Sequence, residues 1–424
     1  MTNAMTHIIK SGLRTVAAAL LCVAAVALTP TTSFALGFRI PNQDAAAIAR
    51  GNAFVATADN PSAIYYNPAG ITQLEGQQVQ IGVLNYLGIN TFFDSDTSGV
   101  KDTKSRFEVL PVPQIHYTYT PKDSVLSYGL GLYAPFGLGV KWPDNTGFRS
   151  IAIESKLTYF TVNPVIAWKA HPTLSVAIGP NINYSDISLS RGLFAPNDNL
   201  TFKGDDIGYG FNAGVLWQPH EQWSFGANYR SASRIHYKGK TTYSGAPFPL
   251  PTDHADTKAT VDFPQIISAG ISFRPNTNWN IEFNVDYTDW NTLNTVFLEG
   301  TSAIFPFVPS GLPLQLDWHE SWFYELGVTR TFDDGWFASV GYFYSSETAP
   351  SQTFTPAVPD ITLHVASLGV GHQGEKWRWV VAGQLIAGGR RDINNSPLSP
   401  AGESANGKYS MIVPTLSVSL SRRF

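Results

Sequence analysis

The chain has 424 residues, 14% of them charged and 13% aromatic, with a net charge of −4. Soluble proteins average roughly 25% charged residues, so this chain is poor in charge and rich in rings. Disordered chains lack aromatics, collagen needs a Gly-X-Y period and nucleic-acid binding needs a basic face; none of these fits.

Lys10 and Arg14 precede an apolar run over 16–28, and Ser33-Phe34-Ala35 follows as a small-residue exit site. That layout predicts a secretory signal peptide over 1–35. The run is too short to cross a bilayer as a helix. The sole cysteine, Cys22, lies inside it, so an exported chain has no thiol and no disulfide.

Residues 36–75 do not alternate in polarity. Asn42 is placed to cap a helix over 43–50 that Gly51 stops. Asp59 or Asn60 is placed to cap a second over 61–66, with Pro61 in its first turn. Two readings stay open for this segment: a plug inside a barrel, or a periplasmic tail. Its apolar side chains, among them Ile40, Ile48, Phe54, Ile64, Tyr65 and Tyr66, argue against the tail.

From 76 to 424 the helical period is missing and polarity alternates with a period of two. Strands are predicted near 77–91, 108–120, 124–141, 152–169, 174–190, 203–218, 222–240, 257–274, 279–297, 314–332, 336–346, 362–373, 377–389 and 408–424. Short turns such as Pro121-Lys122-Asp123 and Asp333-Asp334-Gly335 interleave with mostly long loops. This predicts an all-β transmembrane barrel of about 14 antiparallel strands, with short periplasmic turns and longer external loops. In the fifth strand Leu174, Val176, Ile178, Pro180, Ile182 and Tyr184 would face lipid, and Ser175, Ala177, Gly179, Asn181, Asn183 and Ser185 the lumen. Trp168, Trp217, Trp223, Trp279, Trp336, Trp377 and Trp379 flank the short turns, as an interfacial girdle would. A soluble propeller would show an internal repeat, and none is present. The last strand ends on Phe424, resembling the signal by which barrels engage the bacterial assembly machinery.

Chemistry has little footing. His116, His236, His319, His364 and His372 are scattered, without a readable nucleophile, and no His/Asp/Glu cluster has metal-ligand spacing. No catalytic residue, metal or cofactor is expected, and no enzyme.

Several motifs carry a resemblance. Gly37-Phe38, Gly51-Asn52-Ala53 and the run from Ala58 to Gly70, with Asn67-Pro68-Ala69-Gly70 as its most specific part, resemble the N-terminal hatch of FadL/TodX-type outer-membrane transporters. Tyr133-Ala134-Pro135-Phe136-Gly137-Leu138-Gly139, Asn212-Ala213-Gly214, Tyr287-Thr288-Asp289-Trp290 and Trp318-His319-Glu320-Ser321-Trp322 extend the resemblance over the mature chain. It implies a domain order of signal peptide 1–35, hatch 36–75 and barrel 76–424 in the outer membrane. It also implies transport of long-chain fatty acids or similar hydrophobes. External loops would capture the ligand, the lumen would hold it against the hatch, and a third-strand kink at Pro135, Phe136 and Gly137 would release it sideways into lipid. The family's carboxylate site falls near Ala134, Arg191 and His319. Ala134 lacks the hydroxyl, and His319 is only partly charged near neutral pH. A neutral aromatic hydrocarbon is therefore a competing cargo, and a general porin a weaker alternative. By parity His319 should face the lumen.

Leu193, Phe194, Phe248, Leu250, Ile304, Phe305, Phe307, Val308 and Leu312 fall in predicted external loops. So many apolar side chains near water suggest a ligand groove or loop-to-loop packing over the barrel mouth. The expected partners are a hydrophobic small molecule, outer-membrane lipid and the assembly machinery, with no nucleic acid.

Overall fold

The computed structural model describes residues 37–96, 100–308 and 310–424; the predicted signal peptide lies outside them. The wall begins with β1 (Gly76–Leu87), continued by β2 (Asn90–Asp94), with the short β3 (Thr103–Lys104) beside β2. β4 (Val109–Thr120), β5 (Leu126–Tyr133), β6 (Gly137–Lys141), β7 (Glu154–His171), β8 (Leu174–Arg191) and β9 (Asn199–His220) follow. β10 (Trp223–Arg230) with β11 (Ser233–Ser244), and β12 (His254–Phe263) with β13 (Ile266–Asn276), are each one span interrupted for two residues. After β14 (Trp279–Thr288), β15 (Thr295–Leu298) and β16 (Leu312–Gln315) pair only with each other, as a separate hairpin. β17 (Ser321–Thr331), β18 (Trp336–Ser345), β19 (Leu363–Gln373), β20 (Trp377–Ile393) and β21 (Gly407–Arg423) complete the wall. β21 pairs back onto β1 from Gln78↔Arg423 to Tyr86↔Thr415. The result is a closed barrel of fourteen antiparallel spans. Hydrocarbon demands that closure, because each backbone group left unpaired in lipid costs several kcal/mol.

The predicted spans are recovered, with one displacement. The ninth span stops at Thr288 rather than near 297, and the tenth starts at Ser321 rather than near 314. The intervening β15 and β16 alternate like wall strands, so period alone assigns them to the barrel. A 3-10 turn over Trp290–Thr292 takes the chain out of the wall instead.

Alternation sorts the two faces as expected. Ile178, Ile182 and Tyr184 of β8 are exposed, while Ala177, Asn181, Asn183 and Ser185 are buried. On β21 Ile412, Leu416, Val418 and Leu420 point out, and Val413, Thr415, Ser417 and Ser419 point in. Trp168, Trp217, Trp223, Trp336 and Trp377 are exposed beside the short turns, where an indole sits at the interface.

The N-terminal segment fills the lumen. Its helices are α1 (Ala45–Ala49) and α2 (Ala63–Tyr66), with a 3-10 turn over Pro68–Gln73, and both helices are wholly buried. Ion pairs fasten it to the wall: Arg39–Asp286 at 2.5 Å and Arg50–Glu282 at 3.4 Å. Removing one partner of such a buried pair costs about 3–5 kcal/mol, because the other charge is stranded. Asn42 does not cap α1, which starts three residues later. Its side-chain amide donates instead to Gln384 Oε1 at 3.0 Å. Asn60 does serve the start of α2, accepting from the Ser62 N–H at 2.8 Å.

The Asn67-Pro68-Ala69-Gly70 motif is a wedge between segment and wall. Asn67 Oδ1 accepts from the Ala69 N–H at 3.2 Å, and Nδ2 donates to the carbonyls of Val55 (2.8 Å) and Val215 (2.9 Å). A Cβ on Gly214 would stand 2.4 Å from Asn67 Oδ1, so only glycine at that wall position lets the wedge in. Asn212 donates to the Ile64 carbonyl at 3.1 Å. Two motifs far apart in sequence are thus one contact in space.

Candidate functional site: a capture cavity and a breach in the barrel wall

The external loops enclose a cavity of about 660 Å³ whose lining includes Leu193, Phe194, Phe305, Phe307, Val308 and Arg191. That volume suits a small-molecule site. Its floor is an apolar cluster that includes Leu200, Phe202, Tyr237, Tyr243 and Phe263. Loop-to-loop packing and a groove therefore coexist: Leu193 and Phe305 are buried in the cluster and also face the cavity.

Local chemistry positions these side chains. The buried Asp198 carboxylate gathers the 192–198 loop, accepting from the N–H groups of Leu193 (3.0 Å), Phe194 (2.6 Å) and Ala195 (3.0 Å) and from Tyr243 Oη (2.6 Å). Burial alone would raise its pKa, but the Tyr243 hydroxyl and these backbone N–H groups outweigh that and hold it below the usual carboxylate value. Against this loop the β15–β16 hairpin carries the turn that presents Phe305 and Phe307, with the Phe305 ring 6.2 Å from Phe194.

Arg191 ends β8 and faces this cavity; its side chain makes no hydrogen bond or ion pair with any described residue. Phe194, Phe305 and Phe307 share the cavity with it. Phe248 and Leu250 are corrected: neither lines the cavity. Phe248 meets the Phe194 ring at a tilt with centroids 5.5 Å apart, and Leu250, half-buried, packs against the cluster. His319 is corrected too. It is exposed, precedes β17, lines neither cavity described here, and its N–H donates to the Thr348 carbonyl at 2.9 Å. The parity argument fails because Asp317 sits at φ +48 between hairpin and wall, so alternation counted from Gln315 does not carry through to Ser321.

A second cavity, of about 380 Å³, lies beside the third span. This span is interrupted between Tyr133 and Gly137, at Ala134, Pro135 and Phe136. The β4–β5 ladder ends at Ile115↔Leu132, and β6 pairs only with β7. Above that point β4 and β6 share no ladder until the Arg106 N–H meets the Lys141 carbonyl at 2.7 Å. The slot between them is the mouth of the second cavity. Its lining mixes faces: Ile40, Leu363 and Val413 from inside, and the exposed Pro111, Pro113 and Phe160 from outside. Leu110 leans across it, so that a Cβ on Gly139 would stand 2.5 Å from its side chain.

The N-terminal segment reaches into this slot. Phe38 and Ile40 bond the kinked strand, the Ile40 N–H to the Pro135 carbonyl at 2.8 Å and the Gly137 N–H to the Phe38 carbonyl at 2.9 Å. The Gln43 amide grips Ala134 twice, Nε2 to its carbonyl at 2.7 Å and Oε1 from its N–H at 3.2 Å. Ala134 is buried and lines the second cavity, not the first. The Phe38 ring borders both cavities and is held edge-on by Phe136 (6.2 Å), Phe263 (5.6 Å) and Trp290 (4.7 Å). Sequence reasoning missed Gln43, Pro111 and Pro113; two prolines inside one strand were the available signal.

A closed barrel with an apolar external cavity, a filled lumen and a breached wall is the architecture of an outer-membrane transporter for hydrophobic molecules. The family model described as "Outer membrane protein transport protein (OMPP1/FadL/TodX)" matches residues 26–421, and the chain belongs to that family. It is similar to the long-chain fatty acid transport protein of Escherichia coli O6:H1, with 21% identity over 377 residues, 79% of this chain and 83% of that protein. Its fold matches a Pseudomonas aeruginosa FadL homologue with a TM-score of 0.80 at 18% identity, covering 92% of this chain and all of that one. The Pseudomonas putida toluene transporter TodX matches with a TM-score of 0.73 at 17% identity, covering 90% and 98%.

Proposed function

We propose that the chain carries long-chain fatty acids across the outer membrane, capturing them in the external cavity and releasing them sideways through the slot between β4 and β6. The observation that carries this reading is the second cavity, whose lining passes from lumen to outer face through a wall that should be continuous. An apolar ligand gains most by leaving into lipid, since a watery exit would return its surface to the solvent it avoids. The segment 37–75 acts as the hatch that blocks the way down. Phe38, bordering both cavities, is the partition between capture and exit. No catalytic step is needed, and lipid receives the product directly. The terminal β21, ending beside the exposed Phe424, presents the strand by which the assembly machinery would take up the barrel.

Arg191 favours an acid as cargo, because a cation facing an apolar cavity without a partner suits a carboxylate. A charge-assisted hydrogen bond there should contribute about 1.5–3 kcal/mol. Arg191→Ala should then weaken fatty-acid binding roughly ten- to a hundredfold and leave the methyl ester unaffected. Neutral hydrocarbons are the second reading, favoured by the missing hydroxyl at Ala134 and the exposed position of His319. Equal binding of acid and ester by the unaltered protein would select it.

A further inference from the structure

The two edges of the slot are disarmed by two separate devices. On the β4 edge these are Pro111 and Pro113. The β1–β4 ladder is unbroken from Gly76↔Thr120 to Leu87↔Val109, although it includes Asn85↔Pro111 and Val83↔Pro113. A proline nitrogen aimed at β1 would have cost that ladder a donor. In an antiparallel strand the N–H direction alternates residue by residue. Both proline nitrogens therefore aim at the slot, where β4 has two acceptors but no donor. Continuing the β4–β5 register upward from Ile115↔Leu132 would set Pro113 opposite Ala134 and Pro111 opposite Phe136.

On the other edge the missing partner is impersonated. A residue opposite Ala134 in a regular ladder would exchange two hydrogen bonds with it. The Gln43 side chain makes both, at 2.7 and 3.2 Å. It is itself held in place, its Nε2 donating to the Ile40 carbonyl at 2.8 Å and its backbone N–H to Tyr66 Oη at 2.9 Å. Phe136, which would face Pro111, is bridged to Arg39 of the same segment.

We infer that Pro111, Pro113 and Gln43 are positioning residues that keep the slot unpaired, and that the proline pair keeps it so whatever the N-terminal segment does. If that segment shifts to pass a ligand, Gln43 leaves Ala134, yet β4 still offers no donor at either facing position. The wall cannot zip shut behind the ligand. The exit is constitutive, and the movable element is the partition at Phe38. This inference rests on the lateral-release reading for its purpose, though not for its geometry.

The test is the variant Pro111→Val/Pro113→Val/Gln43→Leu in lipid nanodiscs, with heat-modifiable gel mobility as the folding check. The substitution creates two backbone amides, at 111 and 113. Their hydrogen exchange should be slowed at least about tenfold relative to free amides if the ladder extends across the slot. Exchange at the free rate in a folded barrel overturns the inference. Labelled fatty-acid uptake is read on the same variant. Protected amides with lost uptake support both the devices and lateral release. Protected amides with full uptake keep the devices and refute lateral release. Should the triple variant fail to assemble, Gln43→Leu alone decides, since it alters no wall strand. The Ala134 amide should then exchange about tenfold faster, and an unchanged rate there overturns the role of Gln43.

Discussion

Asp198 shows how one side chain builds a binding surface. Its carboxylate takes three consecutive backbone N–H groups and a tyrosine hydroxyl, and by doing so fixes the Phe194 ring against Phe305 at 6.2 Å. Each buried N–H left without an acceptor costs about 1–3 kcal/mol, so the loop in Asp198→Ala should open rather than keep its shape. Fatty-acid binding is expected to weaken by about tenfold with assembly intact, measured by fluorescent-ligand titration against heat-modifiability. Undiminished binding would show that the loop does not shape the capture surface. This role was not legible in the sequence, because nothing in the spacing of Asp198 and Tyr243 brings them together before the barrel is closed. Arg191 is the intermediate case: the resemblance marked it, and only the structure turns it to the cavity. His319 failed outright, since a positive φ two residues earlier resets the side-chain count.

At the scale of elements, the external loop after β18 ties the lumenal segment to the barrel mouth. Asp360 accepts from the N–H groups of Gly37 (3.0 Å), Thr348 (2.6 Å) and Ala349 (2.8 Å), and Arg391 stands 3.4 Å from Glu347 and 3.6 Å from Asp360. Burial raises the Glu347 carboxyl, Arg391 pulls it down and Asp360 pushes it up, and the balance leaves it at about 7. Between its ordinary value of 4.5 and about 7 the docked loop keeps a proton that the undocked loop has lost. Docking is therefore firmest below that window, weakens as pH rises through it and is level above it. Hydrogen exchange over 346–362, corrected for intrinsic rates, should accelerate between pH 5 and pH 8 and stay flat in Glu347→Gln. A wild-type loop with no such change would remove Glu347 from the account. The strands themselves were legible because lipid enforces a strict period of two. The β15–β16 hairpin obeys the same period outside the barrel sheet, which is why period alone counts it into the wall.

For the whole molecule, fourteen spans could be read from alternation and turn lengths, and one motif singled out an N-terminal segment whose buried helices fit a plug. The breach in the wall could be read only on one side. Pro135 marks the broken strand, but a breach needs two sterile edges, and the β4 edge becomes visible only when the register shows which way Pro111 and Pro113 point. The central claim is that cargo leaves through that breach. Gly139 stands on its rim, and the nearest atoms to a Cβ there belong to the Leu110 side chain, the closest being its terminal Cδ1, so Gly139→Cys should be tolerated. The sequence contains a single other cysteine, Cys22, within the predicted signal peptide. A bulky thiosulfonate adduct on Gly139→Cys would fill the slot and can be removed by reduction. Labelled fatty-acid uptake should fall at least about tenfold on modification and return on reduction, as expected when one obligatory step is blocked. Uptake that continues at full rate with the adduct in place stoichiometrically would contradict the account and send the ligand down past the hatch.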